Sequence, residues 1–107
     1  MSIETTGREK SGRLLLVDDE QGVLQALKRL FYRHYDVVLA NGGEEALSIL
    51  ETDSFDMIIS DMRMPGMSGA ELLKSCFEQY PAMIRVLLTG YSDLDSAIKA
   101  VNEGNIY

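Results

Sequence analysis

Cysteine is almost absent from this chain: there is one, Cys76, in 107 residues. A lone thiol excludes an internal disulfide and any cysteine-based zinc site. Its place on an apolar helix face with Leu73 and Phe77 marks it as core packing. Basic residues are also scarce, ten Lys and Arg against seventeen Asp and Glu, for a net charge of −7. With no basic stripe to replace phosphate counterions, direct contact with nucleic acid is not expected. An acidic balance suits a hard divalent cation instead. No apolar run approaches the ~20 residues that a membrane span requires. Residues 1–12 (MSIETTGREKSG) lack the apolar stretch of a signal peptide and read as a flexible N-terminal tail. The expectation is a cytoplasmic protein with no membrane contact. Internal repeats and low-complexity segments are missing too, and residues 13–107 read as one domain, near the lower size limit for an α/β sheet.

What the chain does have is a strict alternation of short apolar runs and amphipathic stretches. Residues 13–17, 35–40, 55–60 and 83–88 are the runs, continuous rather than alternating, as strands of a parallel sheet buried on both faces should be. Between the first two, Glu20 to His34 carries Val23, Leu24, Leu27, Leu30 and Phe31 as a helical stripe, with Asp19 placed to cap it. Asn41-Gly42-Gly43 is a turn, and residues 44–52 form a short helix with Ala46, Leu47 and Leu50 inward. Ser68 and Glu71 have the capping-box spacing and open a helix that runs to about Tyr80, where Pro81 stops it. Ser92 and Asp95 repeat that cap ahead of Leu94, Ala97, Ile98 and Val101. Four strands each followed by a helix imply right-handed crossovers and an α/β, doubly wound parallel sheet with helices on both faces.

The chemistry sits where the strands end. Asp18 and Asp19 close the first run, Asp61 closes the third, and Thr89 with Gly90 closes the fourth. Ligands of open α/β sheets bind outside the carboxyl ends of the strands. Carboxylates gathered there repel one another unless a cation sits among them, and Mg2+ favours a few carboxylates plus water and phosphate oxygens. A carboxylate beside such an ion can act as nucleophile toward phosphorus and form an acyl phosphate, a role open to Asp61. Thr89 is placed to donate a hydrogen bond to a phosphoryl oxygen. The Pro65-Gly66 turn forces the chain sharply round after Asp61, which lets the Arg63 backbone carbonyl face the metal. Met62, Met64 and Met67 beside it read as loop packing.

The blocks Leu-Leu-Val-Asp18-Asp19-Glu20, Asp61-Met-Arg-Met-Pro65-Gly66-Met-Ser-Gly69 and Leu-Leu-Thr89-Gly resemble the signature of response-regulator receiver domains, which have the flavodoxin/CheY-like fold. The resemblance covers residues 13–107. It implies a two-component signalling module rather than an enzyme acting on outside substrates. Asp61 would be the phosphoacceptor. Asp18, Asp19, Asp61 and the Arg63 carbonyl would form the Mg2+ site, and Thr89 would be the switch hydroxyl. The donor would be a phosphohistidine on a sensor histidine kinase or phosphotransfer protein, docking on the exposed side of the Glu20 to His34 helix. The Asn-Glu-Gly-Asn-Ile-Tyr segment resembles receivers joined to HD-type phosphodiesterases or to hybrid kinases.

One departure stands out. Receivers of this kind continue into a fifth strand ending in Lys-Pro and a fifth helix, whereas Asn105-Ile106-Tyr107 falls where that strand would begin. Four of five βα units are therefore expected. None of Lys10, Lys28, Lys74 and Lys99 lies at a strand end to balance a phosphoryl group. The fourth strand would be an open sheet edge, so self-association is expected. Two other functions compete. A phosphate-independent dimerisation module would not need the acidic set. An aspartyl phosphatase similar to the haloacid-dehalogenase family needs a second acid two residues after its nucleophile, where this chain has Arg63. A nucleotide or flavin site is disfavoured because the first strand leads into Asp-Asp-Glu and not a Gly- or Ser/Thr-rich phosphate cradle.

Overall fold

Leu14, Leu15 and Leu16 are all fully buried. Successive side chains on a strand point to opposite faces, so three in a row are buried only where both faces are covered. The computed structural model describes residues 10–89, and both faces of the sheet are covered within that span. The elements are β1 (Arg13–Val17), α1 (Gln21–Phe31), β2 (Asp36–Ala40), α2 (Gly43–Thr52), β3 (Met57–Asp61), α3 (Gly69–Gln79) and β4 (Ile84–Leu88). The helix expected to carry Leu94, Ala97, Ile98 and Val101 lies outside the described residues.

The sheet is parallel throughout, in the order β2-β1-β3-β4. It is the doubly wound α/β sheet that the alternation implies, with the flavodoxin/CheY-like order that the resemblance implies. Period-two alternation sorts its side chains into two cores. Leu14, Leu16 and Ile59 face α1, where Leu24 is fully buried among them. Leu15, Val17 and Ile58 face α2 and α3, packing with Ala46, Leu50, Leu72, Leu73 and Cys76. Burial pushes the Cys76 thiol up to about 11 despite the nearby Arg85 charge, which leaves it an unreactive packing group.

The helix starts differ from one another for a local reason. At α3 the capping box forms: the Glu71 amide donates to Ser68 Oγ at 3.2 Å, and the Ser68 amide to Glu71 Oε1 at 2.9 Å. At α1 the expected Asp19 cap does not form. Glu20 is the N-cap residue and makes no side-chain cap bond, while its amide donates to Asp18 Oδ1 at 2.9 Å. A carboxylate two residues back captures the amide first, an Asx-type turn. The α1 stripe also needs correction, because Leu30 is 69% exposed. At about 100° per residue, Leu30 lies at the margin of an arc centred near Leu24 and Leu27, in the helix's last turn. Phe77, expected inward beside Cys76, is instead at the surface with the Arg85 guanidinium 4.9 Å from its ring centre.

Strand ends shift by a residue or two. β2 begins at Asp36, β3 runs through Asp61 because Asp61 pairs in register with Leu88, and β4 begins at Ile84. Ser11 and Gly12 are already tied to the sheet: the Ser11 amide donates to the His34 carbonyl and the Asp36 amide to the Gly12 carbonyl. Arg85 is buried within the β4 run, its Nη1 donating to the Met83 carbonyl at 2.7 Å. The formed capping box makes Ser68→Ala a direct check of α3. Loss of the cap should cost about 1 kcal/mol, read as a lower denaturant midpoint with unchanged slope. An unchanged midpoint would mean that the cap contributes nothing.

Candidate functional site

The chain leaves β1, adds β2 on one side, and then returns to add β3 on the other. That reversal makes a crevice between the carboxyl ends of β1 and β3, the position where open α/β sheets bind ligands. Asp18 and Asp19 follow β1 directly, and Asp61 is the last residue of β3. One carboxylate oxygen from each of the three lies within 4.8 Å of those of the other two. The grouping expected of Asp18, Asp19 and Asp61 is therefore present in space.

Their surroundings differ in a graded way. Asp18 is only 4% exposed, and its own amide donates to the Ala40 carbonyl at the end of β2. Asp61 is half-buried and Asp19 exposed. Burial pushes the Asp18 carboxyl above its ordinary value, and the adjacent Asp19 charge adds to this; the Glu20 amide pulls the other way. Asp61 is raised first by burial and then by the Asp18 charge, with the Arg63 and Met62 amides opposing. Desolvation and like charge thus act together on two of the three, and a divalent cation would relieve both. The donor set, hard oxygen and partly solvated, fits Mg2+ or a similar ion.

Thr89 and Arg63 belong to the segments that follow β4 and β3. Thr89 comes one residue after Leu88, which is in register with Asp61, so it stands just past the strand end beside the acids and is exposed. Arg63 lies in the loop after β3. That loop is fixed at its start by the Met62 amide donating to the Leu88 carbonyl at 3.0 Å, and by the Gly69 amide donating to the Met62 carbonyl at 2.9 Å. Gly66 turns it with φ 79°, a conformation that suits glycine after proline. Met62 and Met64 are buried beneath it, so the methionine cluster is loop packing.

Two contributors escaped the sequence reading. At Gly69 a Cβ would lie 2.0 Å from the Asp61 carbonyl oxygen, so only glycine lets α3 start this close behind the acid. Its signal was a glycine immediately after an N-cap serine, where helix propensity alone favours almost any other residue. The second is the rim: the Gln21 side-chain amide donates to the Asn41 side-chain oxygen. The Asn41 amide donates in turn to Glu45 Oε1 at 2.6 Å. This links the starts of α1 and α2 beside the crevice.

Residues 14–106 match the family model of the response regulator receiver domain. The hydrogenase transcriptional regulatory protein HoxA of Cupriavidus necator is 35% identical over 99 residues, which is 92% of this chain and 20% of that protein. The transcriptional regulatory protein GlrR of Escherichia coli is 38% identical over 96 residues, 89% of this chain and 22% of that protein. Among solved structures, the signal receiver domain of an HD domain-containing protein from Pseudomonas fluorescens superposes with a TM-score of 0.84 at 39% identity. The match covers 94% of this chain and 79% of that one. The chain spans about a fifth of the length of the curated relatives it matches.

The raised carboxyls have a measurable consequence. In the folded state Asp18 and Asp61 hold protons at a pH where the unfolded chain has lost them. Stability of the metal-free protein therefore falls as pH rises through their folded pKa values. Asp61→Asn should raise the metal-free thermal midpoint by a few degrees at neutral pH, with the two proteins converging near pH 3, where the carboxyls are protonated in both states. A variant no more stable than wild type at neutral pH would show that the carboxylates do not strain one another.

Proposed function

This chain belongs to the response regulator receiver domain family, and from that premise we propose that it is a two-component phosphorelay receiver. In this reading Asp61 accepts a phosphoryl group, in a Mg2+-dependent reaction, from a phosphohistidine of a sensor histidine kinase or phosphotransfer protein in the cytoplasm. The observation that carries it is the convergence of Asp18, Asp19 and Asp61 within 4.8 Å at the ends of two adjacent strands. Bound at Asp18, Asp19, Asp61 and the Arg63 backbone carbonyl, Mg2+ would neutralise charge on the carboxylates and on the phosphoryl oxygens.

The chain's own residues then divide the work. An Asp61 carboxylate oxygen attacks phosphorus. The new O–P bond forms as the P–N bond to imidazole breaks, and the imidazole keeps the electron pair and takes up a proton. Asp61 can do this only when ionised, and burial and Asp18 oppose ionisation, so nearby positive charge favours the reactive form. The Arg63 and Met62 amides, which already favour its charged form, hold the carboxylate in place. Thr89, at the neighbouring strand end, donates its hydroxyl to a phosphoryl oxygen, and its movement toward the new group carries the signal to the surface. The role is signalling, with phosphoryl transfer confined to the domain's own aspartate.

Intact mass after incubation with a small-molecule phosphodonor tests this. One added phosphoryl group is expected with Mg2+ and none after chelation or in Asp61→Asn. In Thr89→Ala the phosphoryl group should still add, but amide chemical-shift changes beyond the site should shrink. Absence of the adduct in wild type with Mg2+, or its persistence in Asp61→Asn, would overturn the assignment.

A further inference from the structure

The strand ends opposite the acidic crevice carry two surfaces outside the Asp18–Asp19–Asp61 site. The first is the end of α1. Its last turn and the residues after it present Arg29 and Arg33, both exposed, next in the chain to Leu30 and Tyr32, which are 69% and 46% exposed. The helix dipole accounts for cations at a helix C-terminus. It does not account for a large apolar side chain left open next to them. In a chain of net charge −7, this is a local concentration of positive charge next to exposed apolar residues.

The second surface is an open cavity of about 780 Å³ between the ends of α2 and α3 and the starts of β3 and β4. Phe55, Tyr80 and Met83 give it an apolar floor, and Glu51, Asp53 and Asp56 an acidic rim. Arg13, which does not line the cavity, lies 4.6 Å from the Phe55 ring centre and donates to the Ser54 carbonyl at 2.9 Å. Asp56 is partly committed, accepting from the Arg13 amide at 2.7 Å. Glu51 and Asp53 are exposed and define the rim's outer charge.

Both surfaces lie at the same end of the sheet. A row of backbone bonds crosses that edge: the Asp36 amide to the Gly12 carbonyl, the Asp56 amide to the Arg13 carbonyl, and the Ile84 amide to the Asp56 carbonyl. The basic tip stands at its β2 end on the α1 face, and the acidic cavity at its β3–β4 end on the α2–α3 face. Two patches that face the same way are exchanged between copies by a two-fold axis across that edge, midway between them. Such an isologous arrangement makes both contacts at once.

We propose that this end of the domain is a self-association surface, in which the Leu30–Tyr32 tip of one copy, flanked by Arg29 and Arg33, enters the Glu51- and Asp53-rimmed cavity of a second copy. The occupant of each patch is the other, matched in charge and in apolar character. The Asp18–Asp19–Asp61 crevice lies at the opposite strand ends and takes no part in the contact.

Charge reversal in two separate chains tests it. Sedimentation velocity of the 107-residue chain should show a monomer–dimer equilibrium that weakens about tenfold when ionic strength is raised from low to high. Arg29→Glu with Arg33→Glu, and Glu51→Lys with Asp53→Lys, should each run as a monomer while keeping the wild-type circular dichroism. Mixing the two variants should restore the dimer, because in the mixed pair one contact is wild type and the other has its charges exchanged. A wild-type chain that stays monomeric, dimers that survive either reversal, or a mixture that fails to recover would each overturn the proposal. Survival would point to the β4 edge instead.

Discussion

Burial and like charge at Asp18 and Asp61 are the constraint around which the rest of this structure is arranged. Nothing in the folding of a small parallel sheet requires Asp18, Asp19 and Asp61 to meet, and for Asp18 and Asp61 the meeting is unfavourable on both counts that matter, burial and like charge. They are held together because β1 and β3 are hydrogen-bonded neighbours in fixed register, Val17 opposite Ser60, and each strand ends in an acid. The cohesion comes from Leu14, Leu15, Leu16 and Ile58, buried completely behind the site. Stability is spent at the rim of a core that can sustain it, the usual relation between a functional site and its scaffold.

The same constraint explains the backbone on the far side of Asp61. The chain has to leave β3, pass over Met62 and Met64, and enter α3 without blocking the crevice. Gly66 turns it, Gly69 lets the helix begin against the Asp61 carbonyl, and the Ser68–Glu71 box fixes where α3 starts. Each is a local device, and together they set the position of one carboxylate.

Much of this was legible in the sequence because the signals were short-range and redundant. Continuous apolar runs ending in Asp or Thr gave strands, a parallel sheet and the strand ends at which three aspartates meet. Ser68 and Glu71 gave the start of α3 to the residue. What was not legible depended on competition between neighbours or on tertiary contact. Asp19 looks as good a cap as Ser68, but Asp18 takes the Glu20 amide first. Leu30 fits the helical stripe by spacing, yet whether the margin of a stripe is covered depends on what packs there. Arg85 interrupts an apolar run and is buried all the same, stacked on Phe77 and bonded to the Met83 carbonyl. Gly69 was visible as a motif letter, but its reason, a 2.0 Å approach, exists only in three dimensions. The positive tip of α1 was hidden by the negative total charge.

Burial and like charge raise the Asp18 and Asp61 carboxyls above their ordinary values, and a cation among them should lower them again. Calorimetric titration with Mg2+, in two buffers of different ionisation enthalpy at a pH just above the ordinary carboxylate range, tests this most directly. Binding should be accompanied by proton release, because the cation lowers the Asp18 and Asp61 carboxyl pKa values that the fold has raised. The apparent heat should therefore differ between the two buffers. Equal heats in the two buffers, or no binding at all, would contradict it.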